Sequence, residues 1–315
     1  MGLDLHHKPV MTPEVLHGLY VRPGGRYIDS TVGEGGHSKA ILDASNPGGQ
    51  VLGIDADPEA IQVANKRIQS SSGNFLGINT NFRDIRVTAL RYRFSPVNGI
   101  LFDLGVSSLQ LDKESRGFSF KRPDPLDMRF NFDQKISASE IVNEYSESEL
   151  ANLIYRYGEE VDSRKISKII VQNRPLKTSL DLANLIKDNV FHKVDKRRKR
   201  KKIHPATLTF QALRIAVNDE LNSLETGLEQ AITLLGKGGR IVVISYHSLE
   251  DRIVKNMFRR ESSYCICPPQ TIICICNHNP SIKIVSKKPF TPSNVEIENN
   301  PRARSAKMRI AEKIN

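Results

Sequence analysis

The sequence contains no tryptophan, no long apolar run and no cysteine outside one short segment, and each absence narrows what the protein can be. No stretch approaches the roughly 18 consecutive apolar residues of a membrane helix. The first twenty residues lack the apolar run and the small-residue cleavage site of a signal peptide. We therefore expect a cytoplasmic protein with no membrane partner. The 39% hydrophobic and 26% charged residues fit an ordinary folded chain of one or two domains.

The four cysteines form two Cys-x-Cys pairs, Cys265 with Cys267 and Cys274 with Cys276. In a reducing compartment such a cluster indicates thiols or metal ligands, not a disulfide framework. Four thiolates this close in sequence could close a tetrahedral zinc site. The spacing is tighter than the usual Cys-x-x-Cys, so we expect free thiols and no metal, with zinc as the alternative.

Positive charge is concentrated in one place. Subtracting 35 acidic from 46 basic residues gives +11, and the run KRRKRKK at 196–202 supplies seven of these charges. Such a block cannot pack into a core, and its natural partner is a polyanion, because each phosphate that it neutralises releases counterions. The alternative is a merely solvated loop.

Short apolar runs that end in polar residues predict β-strands at 27–29, 51–55, 74–78 and 97–103, with loop or helical sequence after each. The pattern resumes with a helix over 205–235, a glycine-rich stop at 236–239, a strand at 241–245 and a helix over 249–260. Two final strand-like runs, 282–286 and 303–310, are expected to pair antiparallel. This rhythm predicts an α/β fold with a Rossmann-like, mainly parallel sheet.

Between 137 and 191 only helical signals occur, with Ser137/Glu140 and Ser146/Glu149 spaced as capping boxes. We therefore expect two domains. Residues 1–111 and 204–315 form the sheet domain, and residues 112–203 form an inserted all-helical domain for substrate recognition.

A glycine-rich turn with Gly33, Gly35 and Gly36 follows the first predicted strand. Glycines there let backbone N–H groups approach a ligand closely. Asp55 ends the second predicted strand, at a distance in sequence from which its carboxylate can accept both hydroxyls of an adenosine ribose. Together these features indicate a nucleoside cofactor, and the alternative is a generic α/β turn with a surface aspartate.

The glycine spacing bears on which nucleoside cofactor binds. His37 gives the turn the pattern Gly-x-Gly-Gly-His, whereas nicotinamide enzymes keep Gly-x-Gly-x-x-Gly to hold a pyrophosphate. A cofactor without pyrophosphate is favoured, and S-adenosyl-L-methionine is such a ligand. The closing pair of strands also fits the seven-stranded methyltransferase sheet better than a dehydrogenase sheet.

Seven longer motifs carry a specific resemblance. They are GEGGHS at 33–38, DLGVSSLQLD at 103–112, RGFSF at 116–120, PLDMR at 125–129, HPAT at 204–207, SYHSLEDR at 245–252 and NPRARSA at 300–306. In this order, and nearly from end to end, the chain resembles the bacterial 16S ribosomal RNA cytosine-N4 methyltransferase family. The resemblance implies a class I methyltransferase sheet and transfer of a methyl group from S-adenosyl-L-methionine to a cytidine N4 in the decoding region. It implies 16S rRNA, within the small ribosomal subunit, as the partner and leaves homodimer formation open.

The resemblance also implies a set of cofactor ligands. They are Gly35, Gly36 and His37 at the methionine end, Asp55 on the ribose, Phe82 on the adenine, and Asp103 and Gln110 completing the pocket. Two positions depart from the family pattern: Leu109 stands where the family commonly has Pro, and Tyr246 stands where it commonly has Phe.

Asp103 and His247 are the candidate catalytic residues. The lone pair of a cytosine N4 is delocalised into the ring, and an acceptor on its N–H favours the pyramidal geometry and takes the proton. Asp103 ends the fourth predicted strand, where amino-methyltransferases carry an acidic, Ser or Asn motif. The alternatives are Asp103 as a cofactor ligand only and His247 as a helix-entry residue.

Two other functions stay open at this point. A DNA cytosine-N4 methyltransferase shares the chemistry, but the chain lacks the Pro-Pro-aromatic part of that motif. An RNA-binding assembly factor that has lost catalysis is the second, and the intact Gly35, Asp55 and Asp103 argue against it.

Overall fold

Seven strands form one sheet in the computed structural model, which describes residues 9–68, 74–190, 204–271 and 273–315. In chain order they are β1 (Arg26–Asp29), β2 (Gln50–Asp55), β3 (Asn74–Asn79), β4 (Val97–Asp103), β5 (Leu235–Ser245), β6 (Ile282–Ile284) and β7 (Lys307–Lys313). The sheet order is β3-β2-β1-β4-β5-β7-β6, with β1 to β5 parallel and β7 antiparallel between β5 and β6. This is the Rossmann-like class I methyltransferase sheet, so the fold prediction is confirmed.

The helices follow the strands as the βαβ rhythm predicts. They are α1 (Thr12–Leu19), α2 (Gly36–Ala44), α3 (Pro58–Ile68), α4 (Ile85–Arg91), α5 (Ser108–Asp112), α6 (Ala138–Glu144), α7 (Glu147–Gly158), α8 (Ser163–Gln172), α9 (Ser179–Asn189), α10 (Thr207–Asn218), α11 (Glu220–Leu234), α12 (Ser248–Glu261) and α13 (Asn294–Asn299). None of the helices in the described ranges combines the length and the apolar character that crossing a bilayer requires.

The central strands are buried on both faces because helices cover both sides of a parallel sheet. Successive side chains of β4 alternate between the two sides. Ile100 and Phe102 belong to one apolar cluster, and Leu101 between them belongs to the other. The core therefore has two layers with the sheet between them, and the polar residues collect at the strand ends.

The predicted helix over 205–235 is wrong in one respect. Asp219 adopts the left-handed conformation with φ 48°, and the helix breaks there into α10 and α11. Arg214 pairs with Glu220 across the break, with Nε 2.8 Å from Oε1. The apolar pattern runs on through the break, so periodicity alone does not reveal it.

The last predicted strand, 303–310, is displaced toward the C-terminus. Residues Pro301–Ser305 form a 3-10 turn around the buried Ala303, and β7 begins only at Lys307. Arg302 and Arg304 therefore lie on the turn, before the strand begins. The antiparallel pairing of the last two strands is confirmed.

The chain divides into two compact units, residues 1–107 with 221–315 and residues 108–220. The first holds the whole sheet. The second begins at 108 where the sequence predicts 112, and it runs to 220 where the sequence predicts 203, so it includes α10. The basic run 196–202 lies outside the described residues, and its role stays a prediction.

Local sequence signals explain where the helices of the second unit begin and how they pack. Both predicted capping boxes are confirmed, Ser137 with Glu140 before α6 and Ser146 with Glu149 before α7. At Gly158 an added Cβ would lie 2.6 Å from the Leu208 carbonyl oxygen, so the end of α7 requires a residue without a side chain to pack on α10. The helical prediction for this unit is confirmed in its described part.

Candidate active site

Three parallel strands end in an aspartate at the same edge of the sheet: Asp29 on β1, Asp55 on β2 and Asp103 on β4. The strand order reverses between β1 and β4. In open α/β sheets, ligands bind in the crevice at such a switch point. The backbone N–H of Asp103 donates to Thr31 Oγ1 at 2.6 Å, which ties the end of β4 to the loop after β1. The three aspartates therefore stand where this fold class holds its ligands.

Backbone conformation and contacts within the chain determine the glycine turn between β1 and α2. Gly33 and Gly35 have φ values of +52° and +79°, which residues with a side chain rarely adopt. A Cβ on Gly35 would lie 3.1 Å from Ala64 Cβ, and one on Gly36 would lie 2.5 Å from Pro9 Cγ. Backbone conformation and internal packing thus suffice to explain the glycines at 35 and 36. Their contact with a cofactor stays a prediction.

Asp55 supports this turn. Its Oδ2 accepts the backbone N–H of Gly33 at 2.8 Å, and its Oδ1 accepts that of Asp57 at 2.9 Å. Burial raises the pKa of Asp55 to about 7, although these two hydrogen bonds act in the opposite direction. Each carboxylate oxygen still has a lone pair for another donor. The side chain is half-buried, so it is able to accept hydroxyl groups from a ligand in the crevice.

Asp103 is held by the residue that departs from the family pattern. Tyr246 Oη donates to Asp103 Oδ1 at 2.7 Å. The Tyr246 ring lies over Gly105, where an added Cβ would lie 3.4 Å from it. Burial, together with the negative charge of Asp103, raises the pKa of Tyr246 well above its ordinary value. The hydroxyl therefore stays protonated and donates throughout the neutral range.

His37 faces the other oxygen of Asp103. Its Nε2 lies 3.4 Å from Asp103 Oδ2, an ion-pair distance, and among the described residues neither ring nitrogen makes a hydrogen bond. Burial lowers the pKa of His37, the carboxylates of Asp103 and Asp29 raise it, and the net shift is upward. A buried polar atom without a hydrogen bond is costly, so such atoms concentrate where a ligand completes the site.

Asp29 was not among the predicted site residues, although it ends β1 just before the turn. It is fully buried, and its Oδ2 accepts the hydroxyl of Ser38 at 2.6 Å. Burial raises its pKa. This contact fixes the first turn of α2, which carries His37. Asp29 therefore orients the neighbour that faces Asp103.

His247 serves as the N-cap of α12. The Glu250 N–H points to His247 Nδ1 at 3.4 Å, and Glu250 Oε2 accepts the N–H of Tyr246 at 2.7 Å. His247 Nε2 lies 3.0 Å from Glu250 Oε1. The helix-entry role of His247 and Glu250 is thus present, and the catalytic role of His247 stays a prediction.

Phe82 and Gln110 are the two remaining predicted cofactor ligands. Phe82 follows β3 in a 3-10 turn and packs edge-to-face on Phe102, with ring centroids 5.6 Å apart. Gln110 is buried on α5, in the second compact unit. Both assignments stay predictions.

The residues that sequence reasoning missed are Tyr246, Thr31 and Asp29. Tyr246 and Thr31 owe their places to contacts with Asp103, from which they are 143 and 72 residues away in the chain. Asp29 contacts Ser38, nine residues along the chain. The available signals were the hydroxyl of Tyr246, which the family commonly lacks, and the position of Asp29 at the end of a predicted strand.

The sequence profile of the MraW methylase family matches residues 4–314. The chain belongs to this family. Curated relatives extend the similarity over nearly the whole chain, and those cited here all carry the name ribosomal RNA small subunit methyltransferase H.

The relative from Dehalococcoides mccartyi strain BAV1 is 53% identical over 99% of this chain and 88% of its own length. That from Thermomicrobium roseum is 51% identical over 99% of this chain and 95% of its own length. That from Halothermothrix orenii is 46% identical over 98% of this chain and 99% of its own length. The resemblance seen in the seven motifs is therefore confirmed as family membership.

Proposed function

We propose that this chain transfers a methyl group from S-adenosyl-L-methionine to the exocyclic N4 of a cytidine in 16S rRNA. The observation that carries the proposal is the environment of Asp103. Tyr246 donates to one of its oxygens at 2.7 Å and His37 faces the other at 3.4 Å, at the switch point of the sheet. Relatives at about half identity carry a name that specifies the same class of substrate.

The residues at the sheet edge fit S-adenosyl-L-methionine. Asp55 offers acceptors to the ribose hydroxyls beside the Gly33 turn, and His37 offers a buried ring nitrogen that needs a partner. The glycine turn lacks the spacing that a pyrophosphate requires. When bound, this cofactor supplies an activated methyl group on a sulfonium sulfur.

Asp103 is the residue that we assign to the reacting centre. Its side chain is 21% exposed, so its carboxylate can be reached from the crevice. With Tyr246 donating to Oδ1, lone pairs remain to accept an N–H of the cytosine amino group. Accepting that hydrogen bond directs the nitrogen lone pair away from the ring, and Asp103 then takes the proton. Alignment of the two reactants supplies much of the remaining acceleration.

We place His37 and Tyr246 as positioning residues for Asp103. Tyr246 donates to one carboxylate oxygen and His37 lies within ion-pair distance of the other, and the raised pKa of Tyr246 keeps its hydroxyl a donor. His247 is the second candidate for proton removal. Its Nδ1 faces the Glu250 N–H at the start of α12, and its Nε2 lies 3.0 Å from Glu250 Oε1, so we favour Asp103 over it.

The relatives' name supports an RNA of the small ribosomal subunit as substrate, and we propose the cytoplasm as the place of action and the assembled subunit as the substrate form. We further propose that residues 112–203 recognise the RNA. A homodimer stays a prediction.

The experiment is transfer of tritium from labelled S-adenosyl-L-methionine to small ribosomal subunits, naked 16S rRNA and duplex DNA, followed by nucleoside analysis. We expect label in N4-methylcytidine from the ribosomal substrates. Label in DNA alone would favour the DNA enzyme, and RNA binding without any transfer would favour an assembly factor. Asp43→Asn, on the exposed face of α2, is the matched control for Asp103→Asn, because it makes the same chemical change outside the crevice.

A further inference from the structure

The four cysteines converge on one point. They lie on a segment that we call the cysteine knuckle, residues 264–278, between the end of α12 and the start of β6. The four Sγ atoms all lie within 4.8 Å of one another. The Sγ separations are 3.5 Å for Cys274 and Cys276, 3.9 Å for Cys265 and Cys276, and 4.0 Å for Cys267 and Cys274.

These separations match the edges of a metal-centred tetrahedron. Four sulfurs bound at about 2.3 Å to a tetrahedral zinc lie about 3.8 Å from one another. A disulfide would require about 2.05 Å, and all four cysteines are free. The tight Cys-x-Cys spacing, which sequence reasoning counted against a metal, therefore still brings the four sulfurs to the right distances.

Backbone N–H groups of each Cys-x-Cys pair point to a sulfur of the other pair. The N–H of Ile266 points to Cys276 Sγ at 3.4 Å, and the N–H of Ile275 points to Cys267 Sγ at 3.5 Å. Each donor is the middle residue of one Cys-x-Cys pair and reaches a sulfur of the other pair. Hydrogen bonds of this kind orient ligand sulfurs and spread their negative charge, as the groups around metal ligands commonly do.

The cysteine knuckle has no apolar core of its own. Within residues 264–278, apart from position 272, which the structure does not describe, no residue is buried. Tyr264, Ile273 and Ile275 are 82%, 76% and 78% exposed. The segment is anchored at its base, where the Ser281 N–H donates to the Glu261 carbonyl at 2.9 Å. A short segment without a core commonly depends on a metal or on disulfides for its fold.

We propose that Cys265, Cys267, Cys274 and Cys276 bind one Zn²⁺ ion, which staples the cysteine knuckle. Thiolate ligands select zinc over the hard cations Mg²⁺ and Ca²⁺, which prefer oxygen. Four protein ligands leave no open position for water or substrate, so the ion is structural and takes no part in methyl transfer.

The first test is the metal content of the purified full-length protein, prepared under reducing conditions without a metal-affinity tag. We expect about one zinc per chain by elemental analysis. Cobalt added to the metal-free protein should give the visible bands and thiolate charge-transfer absorption of a tetrahedral tetrathiolate site. Background zinc together with an octahedral cobalt spectrum would overturn the proposal.

Two variants distinguish the loss of a sulfur ligand from a change in the residues around it. Cys276→Ser should lose the zinc and the tetrathiolate cobalt spectrum. Ile275→Ser, which makes the neighbouring residue polar and keeps all four thiols, should retain both. Equal metal content in the two variants would contradict the assignment. Circular dichroism of both proteins confirms that the rest of the chain is folded.

Limited proteolysis gives a readout that is independent of metal analysis and of the proposed function. Removal of zinc by a chelator should expose cleavage sites within residues 264–278, and added zinc should protect them again. Cleavage at the same rate with and without zinc would show that the ion does not hold the segment, and would overturn the stapling role.

Discussion

Polar side chains at the sheet edge and at the helix caps of the second unit find their partners in different ways. At the caps they pair over a few residues, as Ser146 does with Glu149. At the sheet edge the partners come from separate segments, as with Thr31 and Asp103, which are 72 residues apart. His37 there has ring nitrogens that make no hydrogen bond within the described part of the chain. The caps complete their polar contacts locally, whereas we propose that at the sheet edge a ligand completes those of His37.

This difference separates polar groups that stabilise the fold from those that serve function. Local pairs such as capping boxes contribute about 1 kcal/mol each and need nothing from outside. Buried carboxylates that converge from several strands cost stability, and they persist where they hold or transform a ligand. The contrast predicts that substitutions at the sheet edge change activity and binding, and that those at the caps change stability alone.

The largest expected effect is that of Asp103→Asn. The change keeps the shape of the side chain and removes its charge, so the N4 proton loses its acceptor. Single-turnover methyl transfer at saturating cofactor should fall by roughly 10² or more, with modest changes in RNA and cofactor affinity. Full recovery of the rate when the cofactor is raised to saturation would leave Asp103 as a cofactor ligand only. His247→Ala, measured in the same way, would then become the decisive variant.

Asp55→Asn should have the next largest effect. It removes a charged acceptor for the ribose hydroxyls, so S-adenosyl-L-methionine should bind about 1.5 to 3 kcal/mol more weakly, roughly ten- to a hundredfold in Kd. Calorimetry at pH 8 measures this, with Asp43→Asn as the control. Alanine is a poorer choice, since it would also release the Gly33 N–H that Asp55 holds. Unchanged affinity would remove Asp55 from the cofactor site.

Tyr246→Phe tests one long-range hydrogen bond at the sheet edge. It installs the residue that the family commonly has and removes one hydrogen bond of 2.7 Å to Asp103. We expect transfer to slow roughly three- to tenfold, the equivalent of one such bond. A rate equal to that of the parent would remove Tyr246 from the positioning residues.

Ser146→Ala should affect stability only. Loss of the cap should lower the free energy of unfolding by about 1 kcal/mol, and cofactor affinity should stay the same. Chemical denaturation followed by circular dichroism measures the first quantity and calorimetry the second. Ser148→Ala makes the same change two residues later and should cost less. A fall in cofactor affinity for Ser146→Ala would break the division between the two regions.

Much of the fold follows from sequence because its signals are local. The strand β4 and the capping box at Ser146 sit where apolar runs and residue spacing predict them. The break at Asp219 does not, because the apolar period continues through a single residue in the left-handed conformation. The turn that begins at Pro301 is likewise not predictable, because the residues from 303 onward have the pattern of a strand.

Some features of the site are also predictable from sequence, and others are not. Asp55 and Asp103 are predictable at the sheet edge because each ends a recognisable strand, and the proposed cofactor carries ribose hydroxyls that a carboxylate can accept. The hydrogen bond from Tyr246 is not predictable, since it depends on how the loop after β5 approaches β4. The convergence of the four cysteines likewise depends on the path of the chain between Cys267 and Cys274, which spacing does not specify.

The most direct test of a cofactor site at this edge is the pH dependence of S-adenosyl-L-methionine affinity. In the free protein the pKa of Asp55 is raised to about 7, and the ribose hydroxyls favour its ionised form. Below pH 7 the carboxylate must first lose its proton, so Kd should rise up to about tenfold per pH unit, and above pH 7 it should level off. The ratio of Kd between the parent and Asp55→Asn isolates this group from the titration of the ligand. A ratio that stays constant from pH 5.5 to pH 8, the range measured, would contradict the account.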